Sequence, residues 1–474
     1  MRILFVASEA YPLVKVGGLA DVTSSLARAL RHMGHEPAII LPRYRSIRAA
    51  LRDTHETGIS VAVGARSERA TVRETMLSEG IPAYLVENDE YFGTEDVYTQ
   101  DELSRFLFFA LSIPEVISRL DLRPDVIHCH DWHTALVPVL LKQAGLQLPV
   151  VFTIHNLAYR GTFDRQFLAR NGLSSVWEEY APPGAPRPGL NFLSQGVLQA
   201  DVLTTVSPTY ALEILAADPD DSIGHLLRYR RHDLHGIVNG IDHDEFNPAA
   251  DPDLKCNYNV TTIKKRAMNK LALRKNHGLP QDPDVPLLGM VSRLEEQKGI
   301  DLVLQAMPSF VAETRAQLVI LGRGQEHYHS RLSQAAVEYP DRISVSIGHD
   351  ERAARLIYGG SDMFLMPSLF EPCGLGQLIA MRYGSVPVVR QTGGLADTVK
   401  DVSEQEGNGF VFSDYSADAM LRAIKRADGS FRHRDAWQKL IRRNMTQDFS
   451  WNKSAARYEE IYLQALKASR SRPS

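Results

Sequence analysis

Short runs of unbroken apolar residues, alternating with stretches of helical periodicity, constrain this chain more than any other feature. Ile3-Leu4-Phe5-Val6-Ala7 is the first such run, and its lack of polar alternation fits a parallel strand buried on both faces. A Gly-containing loop from Ser8 to Gly18 follows it. Val22, Leu26, Leu30 and Met33 then recur at helical spacing, Gly34 can close the helix, and Ala38-Ile39-Ile40-Leu41 before Pro42 reads as the next strand. Further apolar strands at 83–86, 126–128, 150–154 and 202–206 extend this βαβ unit into a doubly wound α/β lobe. A second series at 287–291, 318–321, 343–347, 363–366 and 386–389 predicts a second lobe of the same class. Between the series, Ile237-Val238 reads as a strand ending in an Asn239-Gly240 turn, and the chain to Pro286 is polar and loop-rich, so the domain boundary is placed there. The length of 474 residues agrees with more than one domain.

Composition removes several function classes. With 53 basic and 57 acidic residues the net charge is -4, which provides no global basic field for nucleic acid. Cys129, Cys256 and Cys373 are the only cysteines and form no CxxC pair, so neither a disulfide framework nor a cysteine zinc site is expected, as suits a reducing cytoplasm. The N-terminal apolar run is too short for a signal peptide and is read as part of the fold. No apolar stretch reaches the ~18 residues of a membrane span, and a soluble protein is expected.

Several motifs stand at strand ends, where α/β sheets bind ligands. Gly17-Gly18-Leu19-Ala20-Asp21 recurs as Gly393-Gly394-Leu395-Ala396-Asp397, each copy before a helix whose unpaired N–H groups can receive an anion. Two tight turns that need glycine for backbone reasons alone would look the same. Lys15 could add a cation at the first copy, or be a solvated loop lysine. The loop has no Walker order, and Gly322-Arg323-Gly324 is only a fragment of a dinucleotide fingerprint, so ATP hydrolysis and NAD chemistry lose ground. Arg293 and Lys298 follow the 287–291 strand. They could stabilise a departing pyrophosphate without a metal, or pair on the surface with Glu295 and Glu296. Glu371 precedes a helix starting near Gly374 and could bind sugar hydroxyls or stabilise the helix dipole. Cys373 has no local His and reads as structural or binding-adjacent.

The segment Ile127-His128-Cys129-His130-Asp131-Trp132-His133 has the composition of a metal box, but strand periodicity puts His128 and His130 on one face and Cys129 on the other. A strand-end cluster of Asp, Trp and His suits carbohydrate instead, through aromatic stacking and hydroxyl contacts. His155 ends another apolar strand in the same way. Asp-Pro-Asp at 218–220, 251–253 and 282–284 reads as turns, and no divalent metal is implied. Residues 181–189, with four prolines, read as an irregular, mobile surface loop that could border a site.

Lys15-Val16-Gly17-Gly18-Leu19-Ala20-Asp21-Val22, His130-Asp131-Trp132-His133, His155-Asn156-Leu157-Ala158-Tyr159, Val206-Ser207-Pro208-Thr209-Tyr210 and Val238-Asn239-Gly240-Ile241-Asp242, in this order, resemble the bacterial glycogen synthase and plant starch synthase family. Ser292-Arg293-Leu294, Gln297-Lys298-Gly299, Phe370-Glu371-Pro372-Cys373-Gly374-Leu375, Arg382-Tyr383-Gly384 and Thr392-Gly393-Gly394-Leu395 continue the match. The resemblance implies a GT-B architecture: two Rossmann-like domains facing across a cleft, at 1–240 and 241–450, with 451–474 a C-terminal helix crossing back to the first. It implies transfer of glucose from ADP-glucose to the nonreducing end of an α-1,4-glucan, with retention and without metal or cofactor. By the same resemblance Arg293 and Lys298 hold the diphosphate. Lys15, Gly18, Leu375, Gly376, Thr392 and Gly393 join the donor site, and His155 and Glu371 contact the transferred glucose. Glu9, Asp21, Asp131, Trp132, His133 and Asn239 serve the sugar or acceptor side. Three positions depart from the family pattern: Gly376 stands for the usual Thr, Ser194-Gln195 for Lys-Ala, and His349 for a Tyr that stacks on adenine. They bear on nucleotide preference, with UDP-glucose as the alternative donor.

Overall fold

The computed structural model describes residues 1–48, 55–174, 177, 186–187, 189–216 and 221–470. Most of the proline-rich stretch 181–189, and Asp-Pro-Asp at 218–220, lie outside the described residues. The chain divides into two compact units, Met1–Gly240 with Trp451–Ser474, and Ile241–Ser450.

The first unit carries strands β1 (Arg2–Val6), β2 (Glu36–Pro42), β3 (His55–Val63), β4 (Arg66–Met76), β5 (Pro82–Glu87), β6 (Val126–His130), β7 (Val150–Ile154), β8 (Val202–Thr205) and β9 (Leu234–Gly236). They form one sheet in the order β3-β4-β5-β2-β1-β6-β7-β8-β9. From β5 to β9 every pairing is parallel, and β3 and β4 add an antiparallel edge. The strand order reverses between β1 and β6, which makes their C-terminal ends the topological switch point. β1, β6, β7 and β8 are almost wholly buried, as continuous apolar strands covered on both faces must be. The edge hairpin instead alternates, with Ile59, Val61 and Val63 inward and Ser60 and Ala62 outward.

The second unit holds β10 (Leu287–Val291), β11 (Gln317–Gly322), β12 (Ile343–Ile347), β13 (Met363–Met366), β14 (Val386–Arg390) and β15 (Phe410–Phe412), all parallel in the order β12-β11-β10-β13-β14-β15. This is the 3-2-1-4-5-6 order of a dinucleotide-type fold, with its switch point between β10 and β13. Its core is continuous from Ile241 to Met445.

Two expectations need correction. Ile237-Val238 is not strand: β9 ends at Gly236, where a Cβ would lie 2.3 Å from the Ser207 carbonyl oxygen, and Ile237 is buried as loop. The stretch from 241 to 286 is not merely loop either, since Arg266–Asn276 is a helix. Its inward face includes Arg266, Asn269, Lys270 and Arg274, which leaves no apolar period to detect. Arg274 donates to Gln317 and the Val285 carbonyl, and Lys270 pairs with Asp362 at 2.7 Å, so the burial is compensated. The Asp-Pro-Asp pairs at 251–253 and 282–284 do form turns, each first carboxylate accepting the N–H two residues on.

At Trp451 the chain re-enters the first unit as the helix Trp451–Arg470. Tyr458 and Tyr462 are fully buried against β6, with Tyr462 Oη 2.9 Å from His128 Nδ1. No helix among the described residues is long and apolar enough to cross a membrane.

Candidate active site

In the first unit the residues of interest gather at the C-terminal ends of β1, β6 and β7. Glu9 follows β1 and is buried, with Oε2 accepting the N–H groups of Val16 at 2.6 Å and Gly17 at 2.9 Å. Tyr98 donates its hydroxyl to Glu9 Oε1. The helix Gly18–His32 starts here without a side-chain cap, so the Glu9 carboxylate satisfies the N–H groups just ahead of it. Lys15 pairs with Asp21 at 2.9 Å. A Cβ added to Gly17 would meet nothing within 4 Å, and its φ of -141° is ordinary, so the protein itself places no steric demand for glycine there.

β6 ends in a turn at Asp131, a non-glycine residue with φ of 57°. Its Oδ1 accepts the main-chain N–H of His155 at 2.7 Å, fixing the end of β7 to the end of β6. Burial raises the Asp131 pKa to about 7 against these hydrogen bonds, which lower it. His155 Nε2 lies 2.9 Å from His130 Nδ1. Protein packed around the rings lowers the pKa of His133 and His155 to about 3, and those of His128 and His130 well below the usual value, so all four imidazoles are neutral at pH 7. Trp132 corrects the stacking expectation. It is buried, its indole set against Phe106, His133, Phe192 and Gly161, so its ring faces pack on protein and not on a sugar. Asn239 is buried, and its Oδ1 has no hydrogen-bond partner among the described residues.

In the second unit Lys298 and Glu371 meet at the β10–β13 switch point. Lys298 Nζ lies 2.9 and 2.7 Å from the two Glu371 oxygens, and Ser368 donates to the same carboxylate at 2.9 Å. Glu371 is therefore held by a cation and a hydroxyl; those partners, and not the nearby helix, which begins at Gly376 after Leu375, account for its carboxylate. Arg293 is half exposed and pairs with Glu295 at 3.0 Å, the surface pairing that its neighbours allowed. Gly393 has φ of +43°, and a Cβ there would lie 2.0 Å from the Glu371 carbonyl oxygen. Gly393 thus has a steric reason that Gly17, its counterpart in the first copy, lacks. Thr392 is the buried residue at the start of that helix.

The three departures have local settings. A Cβ at Gly376 would come 3.1 Å from the Phe364 ring and 3.4 Å from Met366 Sδ, so β13 crowds any larger residue. Ser194 and Gln195 are buried in the helix Phe192–Gln199, where Ser194 bonds to the capping Asn191. His349 follows β12 with its side chain 78% exposed. Among the described residues no three His, Cys, Asp or Glu side chains converge as a metal site. Tyr98 and Ser368 escaped the sequence reading because each lies in a loop without periodicity and its role exists only through a partner distant in the chain.

Residues 2–229 match the starch synthase catalytic domain family, and residues 270–442 the glycosyl transferases group 1 family. The chain is 45% identical to glycogen synthase 2 of Geobacter sulfurreducens, covering 98% of this chain and 99% of that protein. This chain belongs to the glycogen synthase family. The glycogen synthase of Geotalea uraniireducens is 44% identical over the same share of both chains. Among solved structures, the catalytic domain of starch synthase IV from Arabidopsis thaliana, bound to ADP and acarbose, superposes with a TM-score of 0.89 at 32% identity, covering 98% of this chain and 99% of that one. A sucrose-phosphate synthase from Thermosynechococcus elongatus, at 18% identity and a TM-score of 0.63, shares the GT-B fold. The chain is thus a two-domain GT-B glucosyltransferase of the glycogen synthase type.

Proposed function

We propose that this glucosyltransferase moves glucose from ADP-glucose to the nonreducing end of an α-1,4-glucan, with retention of configuration and in the cytoplasm. The observation that carries the reading is the Lys298–Glu371 pair at the switch point of a dinucleotide-type sheet, where a nucleotide's phosphates are expected. The starch synthase IV structure holds ADP and acarbose, which supports an adenine nucleotide donor and a glucan acceptor.

In the second unit Lys298 and Arg293 would take the diphosphate. Both cations are balanced by carboxylates, Glu371 and Glu295, so an arriving phosphate exchanges one anionic partner for another. Charge that builds on the leaving phosphate is then stabilised without a metal. Leu375, Gly376, Thr392 and Gly393 would border the donor, with Glu371 on the transferred glucose. In the first unit Lys15 and Gly18, beyond the N–H groups that Glu9 already holds, would meet a phosphate, and His155 suits a sugar hydroxyl. Glu9, Asp21, His133 and Asn239 would serve the acceptor side, with Asp131 acting through the backbone of His155 and Trp132 through packing. The leaving phosphate would accept the incoming hydroxyl's proton on the same face of the sugar, a route that needs no pair of carboxylates at hydrolase spacing.

The test is nucleotide release from ADP-glucose and from UDP-glucose, each with and without glycogen, alongside glucose incorporation and the anomeric configuration of the new bond. ADP release matched by α-linked polymer growth is expected. Preference for UDP-glucose would overturn the donor assignment and point to His349 and Gly376, and release without polymer would overturn the acceptor.

A further inference from the structure

Among the described residues the side chain of His130 makes one hydrogen bond, and its partner is His155. Its ring is buried between Phe5, stacked at 5.8 Å, and His128, at 4.1 Å between centroids. Nδ1 lies 2.9 Å from His155 Nε2, while Nε2 is buried with no partner among the described residues. His128 differs, since Tyr462 and Thr153 engage both of its nitrogens. A leucine at 130 would pack in the same space without an unsatisfied nitrogen, so packing alone does not account for the imidazole.

Two neutral imidazoles joined by one hydrogen bond share a single proton, and one nitrogen must donate. If His130 Nδ1 donates, its Nε2 is left as a bare acceptor. If His155 donates, the His130 proton must sit on Nε2, as a buried N–H with nothing to bond. Orphaned buried N–H groups are the rarer and costlier case. The first arrangement is therefore favoured, and it forces the His155 proton onto Nδ1.

We infer that His130 is a positioning residue: by donating from Nδ1 to His155 Nε2 it fixes the tautomer and ring plane of His155, so that His155 meets its ligand as a hydrogen-bond donor. This rests on the proposed contact between His155 and the transferred glucose. Asp131, holding the His155 main-chain N–H, fixes the backbone while His130 fixes the ring.

The test combines variants at both positions with melting curves. His130→Leu is expected to lower kcat for polymer growth about 10- to 100-fold with a smaller change in donor KM, at a melting temperature close to that of the parent. His130→Asn, whose amide reaches the place of Nδ1, should recover most of the loss, and His130→Gln, which reaches the place of Nε2, should not. In a His155→Ala background, His130→Leu should cost no further turnover. Additive losses, or equal activity for the Asn and Gln variants, would overturn the positioning role. If His155→Ala itself keeps near-parental turnover, the reading of His155 fails first, and that outcome is distinct. Nitrogen-15 shifts of His155 add a readout that activity cannot mimic: a proton on Nδ1 supports the inference and a proton on Nε2 overturns it, including where His130→Leu does not fold.

Discussion

Lys298 has its ammonium against both oxygens of Glu371, so its charge is balanced locally until a phosphate arrives. Lys298→Ala is expected to lower turnover at least ~10²-fold by removing stabilisation of the leaving group, as measured by ADP release during polymer growth. Near-parental turnover would remove Lys298 from the mechanism. Cys373 is buried, and the proposed route needs no covalent nucleophile; Cys373→Ser should retain most activity, and complete loss in a folded variant would argue otherwise. The sequence singled out Lys298, Glu371 and His155 because each follows an apolar strand. It could not choose between pairing and ligand roles for Arg293, because a side chain's partner depends on where a loop folds. Trp132 shows the same limit: an indole beside Asp and His looks like a stacking platform until its neighbours in space are known.

At the scale of the element, Gly17 and Gly393, which hold the same place in two copies of one sequence, have different physics. Gly393 needs positive φ and faces the Glu371 carbonyl, so Gly393→Ala should destabilise by about 1–3 kcal/mol and disturb the Glu371 loop. Gly17→Ala should leave the melting temperature within the range of a neutral surface change, ~0.5 kcal/mol, while raising donor KM if phosphate approaches that backbone. Equal melting losses for the two variants would contradict the distinction. The ends of β6 and β7 also carry a pH signature. His128, His130, His133 and His155 have lowered pKa values in the fold, so the stability they confer is complete above about pH 6.5 and is lost as pH falls toward 3. Asp131, raised to about 7, has the opposite sign, with a cost that grows as pH rises from about 4 to 7. The four imidazoles outnumber the one carboxyl, so melting temperature should fall on acidification below pH 6.5. A flat profile from pH 7 to 4 would show that these rings are not the buried neutral groups described.

At the scale of the molecule, the C-terminal helix belongs to the unit that the chain left about two hundred residues earlier. A fragment of residues 241–450, with its own continuous core, should fold and melt cooperatively, whereas residues 1–240 without 451–474 should not, because Tyr458 and Tyr462 close the buried face of β6. Circular dichroism of the two fragments checks this, and a cooperative melt of 1–240 alone would refute it. By itself the sequence determined the α/β class, the doubly wound strands and the family, because runs of apolar residues and glycine loops are local signals that parallel sheets write into the chain. The edge hairpin β3–β4, the short β15 and the polar-faced helix Arg266–Asn276 left weaker marks, since alternation, brevity and buried charge do not read as apolar runs. Only the tertiary structure decided that Glu9 fills the first helix entrance, that Glu371 pairs with Lys298 and that His130 meets His155. The last two join side chains 73 and 25 residues apart, and the first depends on how one loop folds back on itself; hydrogen bonds and ion pairs act over about 3 Å in space whatever the separation along the chain.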